Sequence, residues 1–162
     1  RLDEATDMFE LGDVNINKLI TEIQRECSKQ LEEKQIQTEI ILPNDPSIYG
    51  NYSLLYSIFR NLFDNAIAYA GEGITITINC YRENPKYYYF SFADNGVGVA
   101  EEHLNRIFER FYRVDKSHSR ATGGTGLGLS IVKHAAELHG ARVRVDSVVD
   151  QGTTITIIFP KE

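Results

Sequence analysis

The sequence predicts an α+β fold, built from buried helices and paired strands. Two observations lead to this prediction. Residues 52–70 carry apolar side chains around a wide arc at helical spacing, which indicates a largely buried helix. Residues 74–81 and 87–93 are typical of two strands joined around the turn Glu83-Asn-Pro-Lys86, which indicates a β-hairpin.

Length and composition indicate one ordinary globular domain. The chain has 162 residues, 42% of them hydrophobic, which is enough to bury a core. It contains neither an apolar run of about 18 residues nor a secretory signal, so we expect no direct membrane contact. The net charge of −6 argues against a nucleic-acid partner. Cys27 and Cys80 lack metal-ligand spacing, and we expect two reduced thiols.

The N-terminal part predicts two helices and a strand. Residues 1–9 have apolar side chains at helical spacing and end near Gly12. Asn15 or Asn17 then caps a second helix, whose apolar stripe is expected to continue through Leu31. Residues 35–42 alternate as a strand. Because the sequence begins at Arg1 rather than at methionine, we expect it to be a piece of a longer protein.

The helix predicted over residues 52–70 carries two asparagines along the edge of its apolar arc. Asn61 and Asn65 lie four residues apart and therefore share one face. One interpretation is that both amides bond to neighbouring backbone. The alternative is that their carbonyl oxygens help to hold a hydrated Mg²⁺ ion. Tyr69, one turn further on, would then lay its ring against a flat base.

An acidic residue ends the second strand of the predicted hairpin. Asp94 is followed by Asn-Gly-Val-Gly98, and the glycines allow a ligand to approach the backbone. A turn explains Asn95-Gly96 equally well, but it does not require Asp94, whose carboxylate is suited to accept an exocyclic amine. Residues 101–107 then predict a short helix.

A basic segment and a glycine-rich segment follow. Residues 103–120 contain five Arg or Lys against two acids, which would attract phosphates. Because residues 114–124 contain no large apolar side chain beyond Val114, we expect a mobile lid. Residues 126–139 predict a helix, and residues 143–149 and 154–159 predict a closing strand pair.

The glycines at the start of the last helix leave two interpretations open. Backbone N–H groups at a helix N-terminus form a site for phosphate, but a tight packing turn would use the same residues. A phosphate loop is excluded because Leu129, not lysine, follows Gly128. A dinucleotide fingerprint is excluded because a polar basic loop, not a strand, precedes the glycines.

Together these stretches resemble the five sequence boxes of sensor histidine kinases. In chain order the boxes are Asn61-Leu-Phe-Asp-Asn65-Ala-Ile-Ala-Tyr69, Asp94-Asn-Gly-Val-Gly98, Phe108-Glu-Arg-Phe-Tyr-Arg113, Gly124-Thr-Gly-Leu-Gly-Leu129 and Gly152-Thr-Thr. Five boxes in order are far more specific than one glycine pattern. The resemblance implies the fold of the gyrase, heat-shock chaperone and histidine kinase ATPases. This fold is a two-layer sandwich: a mixed, mostly antiparallel five-stranded sheet covered on one face by three helices, with a mobile ATP lid.

The resemblance implies ATP and Mg²⁺ as cofactors and gives roles to matching residues. Asn65 would ligate Mg²⁺ and Asn61 would assist, while Asp94 would accept the adenine amine and Tyr69 would stack near the base. The glycines implied to lie against the nucleotide are Gly96 and Gly98.

Asn61 also matches a position where the water-splitting relatives have a glutamate that activates water. Since an amide is no base, transfer to a protein nucleophile is preferred over hydrolysis.

The resemblance also implies how the phosphates would be held. Arg113 would reach the γ-phosphate. The residues implied to contact the phosphates from the glycine-rich segment are Gly124, Thr125, Gly126, Leu127 and Gly128. Ala68 departs from the family, since many such kinases have lysine or arginine there. We expect the missing contact to be absent or to come from Lys116 or Arg120.

The implied function is transfer of the γ-phosphoryl group of Mg-ATP to a histidine on a separate dimerisation and phosphoacceptor domain, in two-component signalling. Residues 1–12 would end that domain and its linker, and residues 13–162 would form the catalytic domain. A response regulator would act downstream, the fragment would be monomeric and its parent homodimeric. The expected location is cytoplasmic, with a parent that is membrane-anchored in some such kinases. An ATP-hydrolysing domain and a non-catalytic nucleotide sensor remain alternatives.

Overall fold

A computed structural model of the chain describes residues 10–112 and 128–161. In this part of the chain, no helix is both long and apolar enough to cross a membrane. In chain order the elements are β1 (Gly12–Asn15), α1 (Ile16–Glu26), α2 (Ser28–Glu33), β2 (Gln37–Ile41), β3 (Ser47–Gly50), α3 (Tyr52–Tyr69), β4 (Thr75–Glu83), β5 (Tyr87–Asp94), α4 (Glu101–Leu104), α5 (Gly128–Leu138), β6 (Arg142–Val148) and β7 (Gly152–Pro160).

Five strands form one mixed sheet in the order β2-β4-β5-β7-β6. β2 and β4 pair in parallel, and the other neighbours pair antiparallel. The predicted hairpin is β4 and β5, and the predicted closing pair is β6 and β7. The sheet, with helices on one face, confirms the predicted α+β sandwich. The predicted lid falls on residues that lie outside the described ones.

The core lies between the helices and one face of the sheet. Phe59 and Phe63 of α3 are fully buried and meet Phe90 and Phe92 of β5 edge to face, with ring centroids 6.1 and 5.3 Å apart. Such edge-to-face pairs are more favourable than burial alone would make them. These ring pairs hold the middle of α3 against β5, the central strand of the sheet.

Two short strands were not predicted from the sequence. β1 and β3 pair antiparallel, with Gly12 opposite Gly50. Each strand has only four residues, and their pairing joins segments more than 30 residues apart, so local periodicity does not reveal them. Their effect is to attach the entering chain directly to the segment that leads into α3.

Two helices end earlier than the sequence predicted. The single helix predicted through Leu31 is wrong, because it breaks at Cys27 into α1 and α2. The apolar stripe continues across the break, which explains why spacing suggested one helix. Asn15 is the cap of α1, with its Oδ1 accepting the Lys18 N–H at 2.8 Å. α4 ends at Leu104, three residues before the predicted end.

α3 and α5 pack side by side in opposite directions. His139, directly after α5, accepts a hydrogen bond at Nε2 from the backbone N–H of Asn51, the N-cap of α3, at 3.1 Å. The imidazole lies so close to Gly50 that a Cβ added there would sit 2.5 Å from Nε2. Glycine is thus required at residue 50 for lack of space.

We predict that Gly50→Ala lowers the free energy of unfolding by about 1–3 kcal/mol, because overpacking displaces the His139 ring. Adding His139→Ala should recover part of this loss, so that the double variant loses less than the sum of the single variants. Urea denaturation measures all three. Gly12→Ala is the matched control, since a Cβ there meets nothing within 4 Å. If Gly12→Ala and Gly50→Ala lowered the free energy of unfolding equally, the close packing of His139 on Gly50 would be contradicted.

Candidate functional site

One edge of α3 carries the three polar or aromatic residues that the sequence singled out. Asn61, Asn65 and Tyr69 are all half-buried. They are spaced at four residues along the helix, so they span about 12 Å of its length. The Asn61 Nδ2 donates to the carbonyl of Ser57 at 2.7 Å. This bond fixes the amide orientation and leaves Oδ1 as the group available for a ligand.

The first residue of α5 lies against Asn61. A Cβ added at Gly128 would sit 3.2 Å from the Asn61 Oδ1. The N-terminal end of α5, with its backbone N–H groups, therefore lies beside the amide oxygen. The asparagine column, Asn61 and Asn65, therefore meets the end of the glycine-rich segment at Gly128. This contact is required if both segments belong to one site.

Asp94 is held at the end of β5 in a half-buried position. Its Oδ1 accepts the backbone N–H of Gly96 at 2.9 Å. Burial raises the pKa of the Asp94 carboxyl above its ordinary value of 3.8, while hydrogen bonds from the backbone N–H groups of Gly96 and Thr153 act in the opposite direction. The carboxylate is oriented by backbone on its own loop and on β7.

The loop after Asp94 is anchored at several points to its neighbours. The Val97 N–H donates to the carbonyl of Ala70, just past α3, at 2.9 Å, and the Val97 carbonyl accepts the Asp150 N–H at 2.7 Å. Close approach explains the glycines, since a Cβ at Gly96 would overlap the carbonyl of Ala70. Gly98 has φ +75°, a left-handed conformation that favours glycine.

These contacts bring most of the described candidates together. Asn61 meets Gly128 at one end of the α3 edge, and the loop of Gly96 and Gly98 meets the other end through Ala70. Asn65 and Tyr69 lie between. Other candidates lie outside the described residues, and their roles stay predictions: Arg113, Lys116, Arg120, Gly124, Thr125, Gly126 and Leu127.

Part of the basic segment is already paired. The Arg106 guanidinium donates to the Glu109 carboxylate at 3.1 Å and lies over the ring of Tyr112, 4.4 Å from its centroid. Tyr112 also contacts the imidazole of His103 through its hydroxyl. In the structure, Arg106 is therefore paired with Glu109 and supports the ring of Tyr112.

Sequence reasoning gave no role to two residues that support the Asp94 loop. The Ser147 hydroxyl accepts the Val99 N–H at 2.8 Å and donates to the Gly152 carbonyl at 2.9 Å. Gly152 has φ +133°, and a Cβ there would overlap the backbone of Asp94. The Gly152-Thr-Thr motif was a signal for the glycine, whereas nothing in the local pattern pointed to Ser147.

Comparison with known proteins shows the family. Residues 50–162 match the model of the histidine kinase-, DNA gyrase B- and HSP90-like ATPases. The chain belongs to this family. At the sequence level it is 36% identical over 161 residues to the sensor-like histidine kinase SenX3 of Mycolicibacterium smegmatis, which covers 99% of the chain and 42% of SenX3. It is thus a histidine-kinase-type ATPase domain that spans less than half of this relative.

Solved structures agree with this assignment. The mycobacterial sensor histidine kinase MprB matches with a TM-score of 0.80 at 26% identity, over 93% of this chain and 97% of MprB. Full-length ShkA in complex with AMPPNP matches with a TM-score of 0.79 at 27% identity, over 95% of this chain and 32% of ShkA. The fold expected from the resemblance is therefore confirmed.

The raised pKa of Asp94 predicts a pH effect on stability. Because the folded protein holds this proton more tightly than the unfolded chain, the free energy of unfolding should fall as pH rises from about 4 through the raised pKa. Asp94→Asn should remove this part of the decrease, as measured by urea denaturation between about pH 4 and pH 8. Asp13→Asn, an exposed carboxylate, serves as control. Superimposable profiles for wild type and Asp94→Asn would contradict the effect of burial.

Proposed function

We propose that this domain binds Mg-ATP along the edge of α3 and transfers its γ-phosphoryl group to a histidine on a separate dimerisation and phosphoacceptor domain. One observation supports the proposal: the Asn61 amide beside Gly128 and the anchored Asp94 loop lie at opposite ends of the C-terminal half of α3. At one end of ATP the base carries an exocyclic amine that donates a hydrogen bond, and at the other end are the phosphates. The distribution of polar groups along α3 suits such a ligand.

The Asp94 end suits the adenine base. The carboxylate is half-buried and its pKa is raised mainly by burial. A hydrogen bond from an exocyclic amine would offset this desolvation, since it favours the charged carboxylate. Tyr69, at the end of α3 and next to Ala70, would supply an aromatic ring for the base to stack near.

The Asn61 end suits Mg²⁺ and the phosphates. Mg²⁺ takes few protein ligands and is bound largely by water and phosphate oxygens. In the described part of the chain, no three His, Cys, Asp or Glu side chains form a group that could hold a metal. The amide oxygens of Asn61 and Asn65 fit this donor chemistry, and the ion would neutralise phosphate charge. Asn65 is the ligand and Asn61 assists.

The amide at residue 61 favours transfer over hydrolysis. Its Nδ2 is already committed to the Ser57 carbonyl, and neither atom of an amide takes a proton from water near neutral pH. The domain therefore positions the nucleotide and stabilises charge, which is most of what phosphoryl transfer needs. Arg113 would act on the γ-phosphate. Ala68, which brings no charge toward the phosphates, favours a nucleotide-sensing module as the second candidate.

The wider setting is proposed from the relatives. SenX3 is named a sensor-like histidine kinase, and this chain covers 42% of it. A parent protein of similar plan would contribute the dimerisation helices, form a homodimer and pass the phosphoryl group to a response regulator. The domain would work in the cytoplasm.

We predict that Asn65→Ala and Asp94→Ala each weaken Mg-ATP binding at least tenfold, because one loses a metal ligand and the other the acceptor for the adenine amine. Isothermal titration calorimetry measures the affinity, and circular dichroism checks folding. GTP separates the two sites: Asp94→Ala should reduce the preference for ATP over GTP, and Asn65→Ala should not.

Asp64→Asn is the control for these variants. Asp64 neighbours Asn65 on α3, but its side chain is 49% exposed and forms a surface ion pair with Arg60. Such pairs contribute little to stability. Asp64→Asn should therefore retain wild-type affinity. Wild-type affinity in folded Asn65→Ala or Asp94→Ala would reject the corresponding site assignment.

The reaction itself is tested by mixing the domain with a separate phosphoacceptor helix hairpin and γ-labelled ATP. We expect label on the acceptor histidine, as an acid-labile, base-stable phosphoramidate. Free phosphate formed at the same rate without the hairpin would indicate hydrolysis instead. Mg-ATP binding with neither product would favour the nucleotide sensor.

A further inference from the structure

α3 and α5 pack side by side, and two separated contacts between them bear on the candidate site. At one place the Asn51 N–H, at the N-cap of α3, donates to the His139 Nε2 at 3.1 Å. At the other, Gly128 at the start of α5 lies against the Asn61 side chain. Ten residues of α3 and eleven residues of chain ending at His139 separate the two places, or about 15 and 16.5 Å at helical rise. The near equality of these lengths lets both contacts form at once.

The contact between Asn51 and His139 requires a single tautomer of the imidazole. The Asn51 N–H can only donate, so Nε2 must be unprotonated. Nδ1 lies 2.8 Å from the carbonyl of Ala135, which can only accept, so Nδ1 carries the proton. The ring also meets Phe159 of β7 edge to face, with centroids 6.4 Å apart, and leaves no room for a Cβ at Gly50. The half-buried imidazole is therefore held by two hydrogen bonds, by the ring of Phe159 and by close contact with Gly50.

A shift of α5 along α3 would change both contacts together. One residue of helical rise is about 1.5 Å, which is enough to break a hydrogen bond of 3.1 Å. The same shift would move Gly128 away from the Asn61 amide. The hydrogen bond at His139 therefore acts with the buried side chains Val132, Ala135 and Ala136 to set where the N-terminal end of α5 lies beside the asparagine column.

We propose that His139 is a positioning residue for nucleotide binding, which acts at a distance by fixing the axial position of α5 on α3. The inference rests on the proposed function, because it concerns how the phosphate end of that site is assembled. Among the described residues, the contacts of His139 are with Asn51, Ala135, Phe159 and Gly50, none of which is a candidate ligand group. Its effect on the nucleotide passes through Asn51 to α3 and through α5 to Gly128.

The same junction includes the chain that enters the domain. The Asn51 Nδ2 donates to the carbonyl of Glu10 at 3.2 Å, while its Oδ1 caps α3 through the Leu54 N–H at 2.9 Å. β1 follows Glu10 and pairs with β3, which ends at Gly50. Asn51 is thus bonded to the entering segment, to α3 and to the residue that follows α5. A displacement of the entering segment would reach the nucleotide site through this junction.

The test compares two substitutions of His139 in the whole chain. His139→Gln keeps a neutral acceptor that can reach the Asn51 N–H, whereas His139→Phe keeps a ring but leaves the N–H without its acceptor. We expect His139→Phe to weaken Mg-ATP binding about tenfold, as the loss of one acceptor to a shielded N–H would. His139→Gln should stay within about threefold of wild type. Leu19→Ala, in the core of α1, is the control for lost stability, and it should keep wild-type affinity.

Calorimetry on samples shown to be folded by circular dichroism gives the affinities, and ¹⁵N NMR of the imidazole should show Nδ1 protonated and Nε2 not. Wild-type affinity in His139→Phe, equal losses in the Phe and Gln variants, an equal loss in Leu19→Ala, or the opposite tautomer would each overturn the inference. If the wild-type domain itself fails to bind Mg-ATP, the proposed function fails first. Binding by wild type with no difference among the variants overturns the positioning role alone.

Discussion

The burial of α3 against the sheet is the constraint on which the rest of the structure depends. Phe59 and Phe63 lie edge to face on Phe90 and Phe92, and each fully buried Phe contributes about 2 kcal/mol of hydrophobic stabilisation. Because these rings determine which side of α3 faces the sheet, they also determine which side carries the polar column. The column of Asn61, Asn65 and Tyr69 follows from that rotation, since it lies at the border between buried and open surface.

The candidate site is built from polar groups whose other bonds are made by backbone. The Asn61 Nδ2 is held by the Ser57 carbonyl, and the Asp94 Oδ1 is held by the Gly96 N–H. These bonds orient the groups before a ligand arrives, so that binding requires less reorganisation. Burial of Asp94 costs stability at neutral pH, which is consistent with a group kept for binding rather than for folding.

Close backbone approach supports the site from behind. Gly96 lies against the Ala70 carbonyl, Gly152 lies against the backbone of Asp94, and Gly50 lies against the His139 imidazole. In each case the missing Cβ allows two elements to meet that any larger residue would separate. The glycines of this protein therefore serve tertiary contact as much as turn formation. The junction of Asn51 and His139 extends this principle to the way in which α5 is placed on α3.

The sequence by itself determined α3, the hairpin of β4 and β5 and the family, because helical periodicity, strand alternation and five ordered motifs are properties of local segments. It also determined which side of α3 carries Asn61 and Asn65. Local spacing failed for β1 and β3, whose pairing is non-local, and at Cys27, where the apolar stripe continues across a break. Only the tertiary structure decided that Asn61 meets Gly128, that Thr153 supports Asp94 and that His139 bonds to Asn51. These contacts join residues 59 to 88 positions apart: the pairing of β5 with β7 brings Thr153 beside Asp94, and the packing of α5 on α3 brings the other two pairs together.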